Sequence, residues 1–318
     1  MSRTPPPPPA TGAPSRQGGA RRDGAARPAP PARQASDGAG PSPAPDGFYD
    51  GLAAVYRLIY PDWQAARRQQ AQIFAALLAE AEIAPGAEIL DAAAGIGTQA
   101  LGLAEAGYRV TATDVSPAAL RHLAQEARAL NLQLPVRACD IRDLPGMIRN
   151  PRDAVLAVDN AIPHLLSEHQ VIVALRALAA ALRPGGLLVL SMRDYDSCLD
   201  GGTRPFGEGP FIHEAVPPRR ILYQVWDWRD ERVYDAHLYI TWQRDPEPGA
   251  GTGPEAAAGS AGPPAPGPWQ VHHGVTRYRA LRRAELARMA RTAGFSQCAW
   301  RMPEETGFFQ PVMLGRRQ

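Results

Sequence analysis

Hydrophobic and polar positions along the chain switch between two periods. Leu52, Val55 and Ile59 recur at helical spacing in residues 48–59, and Pro61 stops that run. A longer helix is predicted from about 63 to 82, with Ile73, Phe74, Leu77 and Leu78 as its buried stripe, before Pro85-Gly86 breaks the chain. The period then shortens. Ile89-Leu90 reads as a buried strand ending in Asp91, a small-residue turn holds Gly95 and Gly97, a helix covers about 98–106, and a second strand, 109–113, delivers Asp114.

The alternation continues. Ser116-Pro117 opens a helix reaching about Leu130, with Ser as N-cap and Pro in the first helical position. A third strand, 135–139, ends at Asp140, and a fourth, 154–158, ends at Asp159-Asn160. Ser167 caps a helix whose Val171, Leu175, Leu178 and Leu182 share one face. Arg183-Pro184-Gly185-Gly186 ends it, and 187–192 is a fifth strand closing with Arg193. From 195 to 279 the rhythm stops: 221–228 and 233–242 alternate as strands about the polar turn 229–231, an antiparallel hairpin to which 269–278 adds a third strand. A helix over about 283–292 ended by Gly294 and two closing strands, 297–302 and 309–314, complete the pattern. The short connection between those two demands an antiparallel pairing.

The turn after the first strand carries the first chemical signal. Small residues there let backbone approach a ligand closely, since any Cβ would fill the space the ligand needs. An acid at the tip of the next strand accepts two hydrogen bonds from a ribose diol. Residues 88–114 therefore propose an adenosine-containing cofactor, and Gly95-x-Gly97-x-x-Ala100 also satisfies the dinucleotide fingerprint. Nicotinamide dinucleotide and S-adenosylmethionine both remain open on this stretch. Three successive strands end in an acid, Asp114, Asp140 and Asp159, at the edge of an open parallel sheet where ligands sit.

Composition narrows the foldable part. Residues 1–47 have no large apolar residue after Met1 and are expected to be disordered, as is a second Pro/Gly-rich run at 245–268. The remainder of the 318 residues, 48–318, suits one α/β domain with 195–279 as a β-rich insertion. The net charge is +2, every basic residue is Arg, and six Arg against three Asp lie before Phe48, so nucleic acid is not the favoured partner. Without Lys, Schiff-base chemistry is excluded. Cys139, Cys198 and Cys298 show no C-x-x-C pairing, and neither a disulfide frame nor a metal site is suggested. No apolar run approaches the roughly 20 residues of a spanning helix and no secretory h-region opens the chain, so a cytoplasmic protein with no membrane partner is expected.

The order of elements resembles the class I S-adenosylmethionine-dependent methyltransferase fold, a Rossmann-like, mostly parallel seven-stranded sheet with an antiparallel last strand. Four features carry the resemblance: Leu90-Asp91 before the glycine turn, Asp114 about 20 residues on, Asp140-Ile141 after the third strand, and 182–186 leading into the fifth. A narrower resemblance is to the glycine and glycine/sarcosine N-methyltransferases. These have a similar D-x-A-x-G-x-G turn, in which alanine stands as Ala93 does here, and segments similar to Asp159-Asn160-Ala161-Ile162-Pro163-His164-Leu165 and Arg193-Asp194-Tyr195-Asp196.

The resemblance implies S-adenosyl-L-methionine as cofactor. Gly95 and Gly97 then let the turn approach its methionyl part, Asp114 holds the ribose hydroxyls, and Asp140 with Ile141 contacts the adenine. Asp159 closes the fourth strand at the same edge. Asp91 either orders the glycine turn or faces the cofactor's ammonium, and His164 touches the cofactor or serves as a cap or packing residue. Tyr56 and Arg68 are candidates to close over the cofactor, Arg68 by pairing with its carboxylate. On the substrate side Arg193 ends a buried strand, where an unpaired guanidinium is costly. Its partner is either a substrate carboxylate or an internal acid such as Asp194 or Asp196, with Asn160 and Tyr195 beside it.

The implied reaction is methyl transfer to a small molecule, first of all N-methylation of glycine, sarcosine or a related amino acid. Alternatives are a small-molecule O- or N-methyltransferase of secondary metabolism, or a cofactor-binding module without catalysis. In-line displacement on an activated methyl asks mainly for alignment and exclusion of water, which together supply about 7–11 kcal/mol. The Tyr/Trp-rich hairpin is a lid, a subunit contact in a homo-oligomer, or a half-buried sheet face.

Overall fold

The computed structural model describes residues 45–201, 204–213, 218–244 and 267–318. The first elements are α1 (Pro45–Leu52), a 3-10 turn at Tyr56–Ile59, α2 (Trp63–Glu80) and β1 (Glu88–Asp91). They are followed by α3 (Thr98–Glu105), β2 (Arg109–Asp114), α4 (Pro117–Ala129), β3 (Val136–Ala138), the short α5 (Leu144–Met147) and β4 (Arg152–Ala157). Next come α6 (Glu168–Ala181), β5 (Leu182–Ser191), α7 (Tyr195–Asp200), β6 (Gly207–His213), β7 (Arg220–Trp228), β8 (Val233–Gln243) and β9 (Trp269–Arg279). The last are α8 (Arg283–Thr292), β10 (Phe295–Arg301), a turn of helix α9 (Pro303–Thr306) and β11 (Val312–Arg317). Asp62, Ser116 and Ser167 start α2, α4 and α6, each accepting the backbone N–H three residues on.

The first sheet has seven strands in the order β10-β11-β5-β4-β1-β2-β3. Its pairings are parallel except those of β11, which runs antiparallel to both β5 and β10, as expected. Neighbouring strand residues face opposite ways, and the two sides are packed by different helices. Ile89, Val110, Leu156 and Val189 pack with Phe74 and Leu78 of α2 and Leu103 of α3. Leu90, Val155 and Leu190 pack with Leu175 and Leu178 of α6 and Met289 of α8. The strand ends that follow β1, β2 and β4 therefore open on one edge between two layers of helices.

The second sheet is antiparallel, β6-β7-β8-β9. Its inner face joins the first core through Trp226, Tyr234 and Tyr278, while Leu222 and Ile240 meet Leu52 of α1. Among the described residues, no helix is long and apolar enough to cross a membrane.

Several elements depart from the reading of the sequence. Helix α1 starts at Pro45, inside the stretch 1–47 expected to be disordered, because Leu52 finds an apolar seat on the second sheet. Residues 1–44 and 245–266 lie outside the described residues, and so does most of the two runs expected to be disordered. The single helix expected over 48–59 is interrupted after Leu52, since Val55, Leu58 and Ile59 pack with Leu222 and Ile240 and tertiary contact overrides helical propensity. Strand β6 and helix α7 were not read from the sequence. Apolar periodicity is lost in the Gly- and Pro-containing β6.

Candidate active site

A cavity of about 820 Å³ opens where the glycine turn, the β2 tip and the loops after β3 and β4 converge. Of the residues singled out from the sequence, Tyr56, Ala93, Gly95, Asp114, Asp140, Ile141, Asp159 and His164 line it. The glycine turn is shaped by backbone that few side chains tolerate: Gly95 has φ +52° and Gly97 φ +91°. A Cβ on Gly97 would come within 2.7 Å of Leu123 Cγ, so Gly97 serves helix packing and does not line the cavity. Gly95 has no protein atom within 4 Å of such a Cβ, and the space beside it is open.

Asp114 ties the turn to the β2 tip. Its Oδ2 accepts the N–H of Gly95 at 2.8 Å and its Oδ1 that of Ser116 at 2.8 Å. Burial raises its pKa, partly countered by these two N–H groups and by that of Val115. Asp140 is held bidentately by Arg142, Oδ1 from Nε at 2.9 Å and Oδ2 from Nη2 at 2.6 Å. Burial pulls its pKa up, but the Arg142 contacts win and hold it below the usual carboxylate range.

Asp159 and Asn160 both adopt left-handed backbone, φ +57° and +67°. Such conformations persist where surroundings over-determine them, often at functional sites. Here Ser191 supplies the restraint, its Oγ accepting the Asp159 N–H at 2.7 Å. Gln99 donates to Asp159 Oδ2 at 2.9 Å, leaving buried Oδ1 without a partner. Burial pushes Asp159 up to about 6. Asp91 is fully buried, next along the chain to the cavity-lining Ala92 and Ala93, its Oδ2 likewise unpartnered, and burial pushes it up to about 7. Two orphaned carboxylate oxygens, one on a lining residue and one on its cavity-edge strand, suit a cationic ligand.

Further lining residues were not picked out from the sequence. Tyr49 of α1 is hydrogen-bonded to His164 Nε2 at 2.9 Å and stacks on Tyr56, and Gln99 follows the glycine turn directly. Only the seating of α1 brings Tyr49 here, whereas Gln99 was within reach as the residue after Thr98. Burial drives His164 down to about 3, with Arg193 adding to the effect, so the ring is neutral at ordinary pH.

Arg68 is corrected. It is exposed on α2 and does not line the cavity, because the buried stripe of that helix runs through Trp63, Arg67, Gln70, Ala71 and Phe74. Arg68 lies one residue, about 100°, off that stripe. Its neighbour Arg67 is the buried arginine and pairs with Glu105 at 3.1 Å.

Arg193, Asn160 and Tyr195 form a second group that does not line the cavity. Asn160 accepts the Arg193 backbone N–H at 3.1 Å, and its side chain meets the Tyr195 hydroxyl at 3.0 Å. The guanidinium lies over the rings of Trp226 and Tyr278 and donates to Gln224 Oε1 at 3.0 Å, Tyr234 Oη at 3.4 Å and Glu208 Oε1 at 3.3 Å. The acids proposed from the sequence, Asp194 and Asp196, pair with Arg283 instead. The two groups meet through His164, whose ring packs on Tyr278 at 4.3 Å.

Residues 89–186, from β1 into β5, match a model described as a methyltransferase domain. The chain is 31% identical over 184 residues to a glycine/sarcosine N-methyltransferase of Halorhodospira halochloris, covering 56% of this chain and 68% of that protein. The chain belongs to the class I S-adenosylmethionine-dependent methyltransferases. A glycine/sarcosine N-methyltransferase of Parasynechococcus marenigrum is 34% identical over 143 residues, 45% of this chain, and the match spans about half, 49%, of that relative. In fold, the methyltransferase is similar to the S-adenosylmethionine-bound amino pentose methyltransferase CalS10 of Micromonospora echinaspora. The TM-score is 0.59 at 19% identity, covering 83% of this chain and 95% of that one. S-adenosylmethionine is the family's cofactor, and the open space beside Gly95 and the orphaned oxygens of Asp91 and Asp159 fit it.

Proposed function

We propose that this methyltransferase N-methylates a small amine of the glycine/sarcosine class. The observation that carries this is the meeting, through His164 and Tyr278, of a cavity suited to the cofactor with a partly buried guanidinium fixed at the tip of β5. The names of its relatives support the amino-acid substrate.

In this reading the Asp114 carboxylate accepts from the ribose diol, and Asp140 with Ile141 receives the adenine. Asp91 and Asp159 offset the cofactor's positive charges in a site where burial makes each charge felt strongly. When bound, the cofactor supplies a methyl group already activated on a sulfonium. Tyr49, Tyr56 and His164 wall the cavity and exclude water. His164 stays neutral and adds no charge of its own beside the cofactor. Arg193 orients a substrate carboxylate with its planar fork. No Ser/His/Asp or Cys/His set is needed, since the amine attacks directly and its proton leaves to solvent.

Calorimetric titration of the full chain with S-adenosylmethionine, followed by formation of S-adenosylhomocysteine with glycine, sarcosine and dimethylglycine, tests this. Turnover on at least one of the three is expected. Cofactor binding without turnover on any of them overturns the amino-acid reading.

A further inference from the structure

Arg193 is held firmly by everything except its acid. Gln224 Oε1 accepts from Nη2 and is itself fixed by the indole N–H of Trp226 at 3.0 Å, while the guanidinium lies over the rings of Trp226 and Tyr278. Glu208 stands opposite Gln224 across the β6–β7 ladder and reaches Arg193 through one oxygen, on Nε alone, at 3.3 Å. The Glu208 side chain is 38% exposed against 17% for Arg193, and it sits on an edge strand at a register irregularity. Two guanidinium–carboxylate contacts elsewhere in the fold are tighter. Asp235 and Asp140 are each gripped through both oxygens. A guanidinium offers five N–H groups, and Arg193 spends three on Glu208, Gln224 and Tyr234. A fixed cation with a loosely held, half-exposed acid is suited to exchanging one carboxylate for another.

We propose that Glu208 is a specificity-determining residue: its carboxylate competes with a substrate carboxylate for Arg193 and sets how far the enzyme favours an amino acid over an amine without a carboxylate. This rests on the reading of Arg193 as the substrate's anchor. Among the described residues Glu208 is the one acid bonded to Arg193, since Asp194 and Asp196 are engaged by Arg283. An incoming carboxylate therefore has a single rival. Two carboxylates on one guanidinium repel each other, and Glu208 has solvent to move into, so the rival leaves when the substrate arrives.

Acetate, the bare carboxylate probe, is titrated by NMR into the full chain saturated with S-adenosylhomocysteine. A partly exposed, one-point ion pair is weak, so Glu208→Gln tightens acetate binding about fivefold. Arg193→Gln abolishes it. In parallel, the ratio of kcat/KM for glycine to that for glycinamide rises in Glu208→Gln, through a lower KM for glycine and a higher one for glycinamide. Glu208→Asp, which draws the carboxylate back, shifts both readouts in the same direction should the Gln variant fold poorly. Acetate affinity unchanged within about twofold in both variants overturns the inference. Tighter acetate binding without turnover of any amino acid leaves Glu208 in place and removes the glycine/sarcosine reading. Turnover of glycine with acetate affinity unmoved does the reverse.

Discussion

Asp114 Oδ2 accepts the backbone N–H of Gly95 at 2.8 Å, so the acid that ends β2 also braces the turn that follows β1. One side chain thus couples the two halves of the cofactor motif, and its removal acts on both at once. Asp114→Ala deletes two acceptors for ribose hydroxyls and leaves the N–H groups of Gly95 and Ser116 unpaired. With charged hydrogen bonds worth about 1.5–3 kcal/mol each, calorimetry should show affinity for S-adenosylmethionine falling by a factor on the order of 100 or more. A change under threefold would remove Asp114 from the cofactor site.

Asp91 trades stability for binding. Its folded pKa, about 7, lies above the unfolded value. A raised acid favours the folded state below its unfolded pKa, near 4, and that contribution is lost as pH rises through about 7. Asp91→Asn should therefore raise the Tm of the cofactor-free protein at pH 8 and raise it less at pH 5.5. The same variant should bind S-adenosylmethionine more weakly. A variant that is no more stable at pH 8 than the parent contradicts the burial argument.

His164 gives a prediction of the opposite kind. Burial takes its pKa to about 3, so the ring carries no charge from pH 5.5 to 8. The profile of kcat/KM should show no limb belonging to His164 in that window. A limb near pH 6.5 that disappears in His164→Gln would show that the ring titrates.

Gly97 tests the packing beneath the turn. Its φ of +91° and the 2.7 Å approach of a Cβ to Leu123 Cγ give Gly97→Ala both backbone strain and a clash. Strain of this kind costs about 1–3 kcal/mol, readable as a lowered denaturation midpoint. Gly95→Ala, with open space around it, should cost stability only through its φ and should lose cofactor affinity as well.

Local order was written plainly in the chain. Caps at Ser116 and Ser167, short apolar runs in β1, β2, β4 and β5, and the breaks at Pro-Gly pairs specify helices and strands through contacts a few residues long. The same short-range logic put acids at the tips of β2 and β4 and just beyond β3, because a parallel sheet brings its strand ends to one edge. Pairings across the fold were not legible. That Glu208 faces Arg193, that Tyr49 meets His164 over a separation of 115 residues, and that Arg67 is buried where Arg68 is not, all depend on how helices and the second sheet seat on the first. Sequence by itself determined the elements, their order and the cofactor motif, since periodicity and turn chemistry act locally. Only tertiary packing decided which acid neutralises Arg193, because that choice depends on the seating of an edge strand with no apolar period of its own.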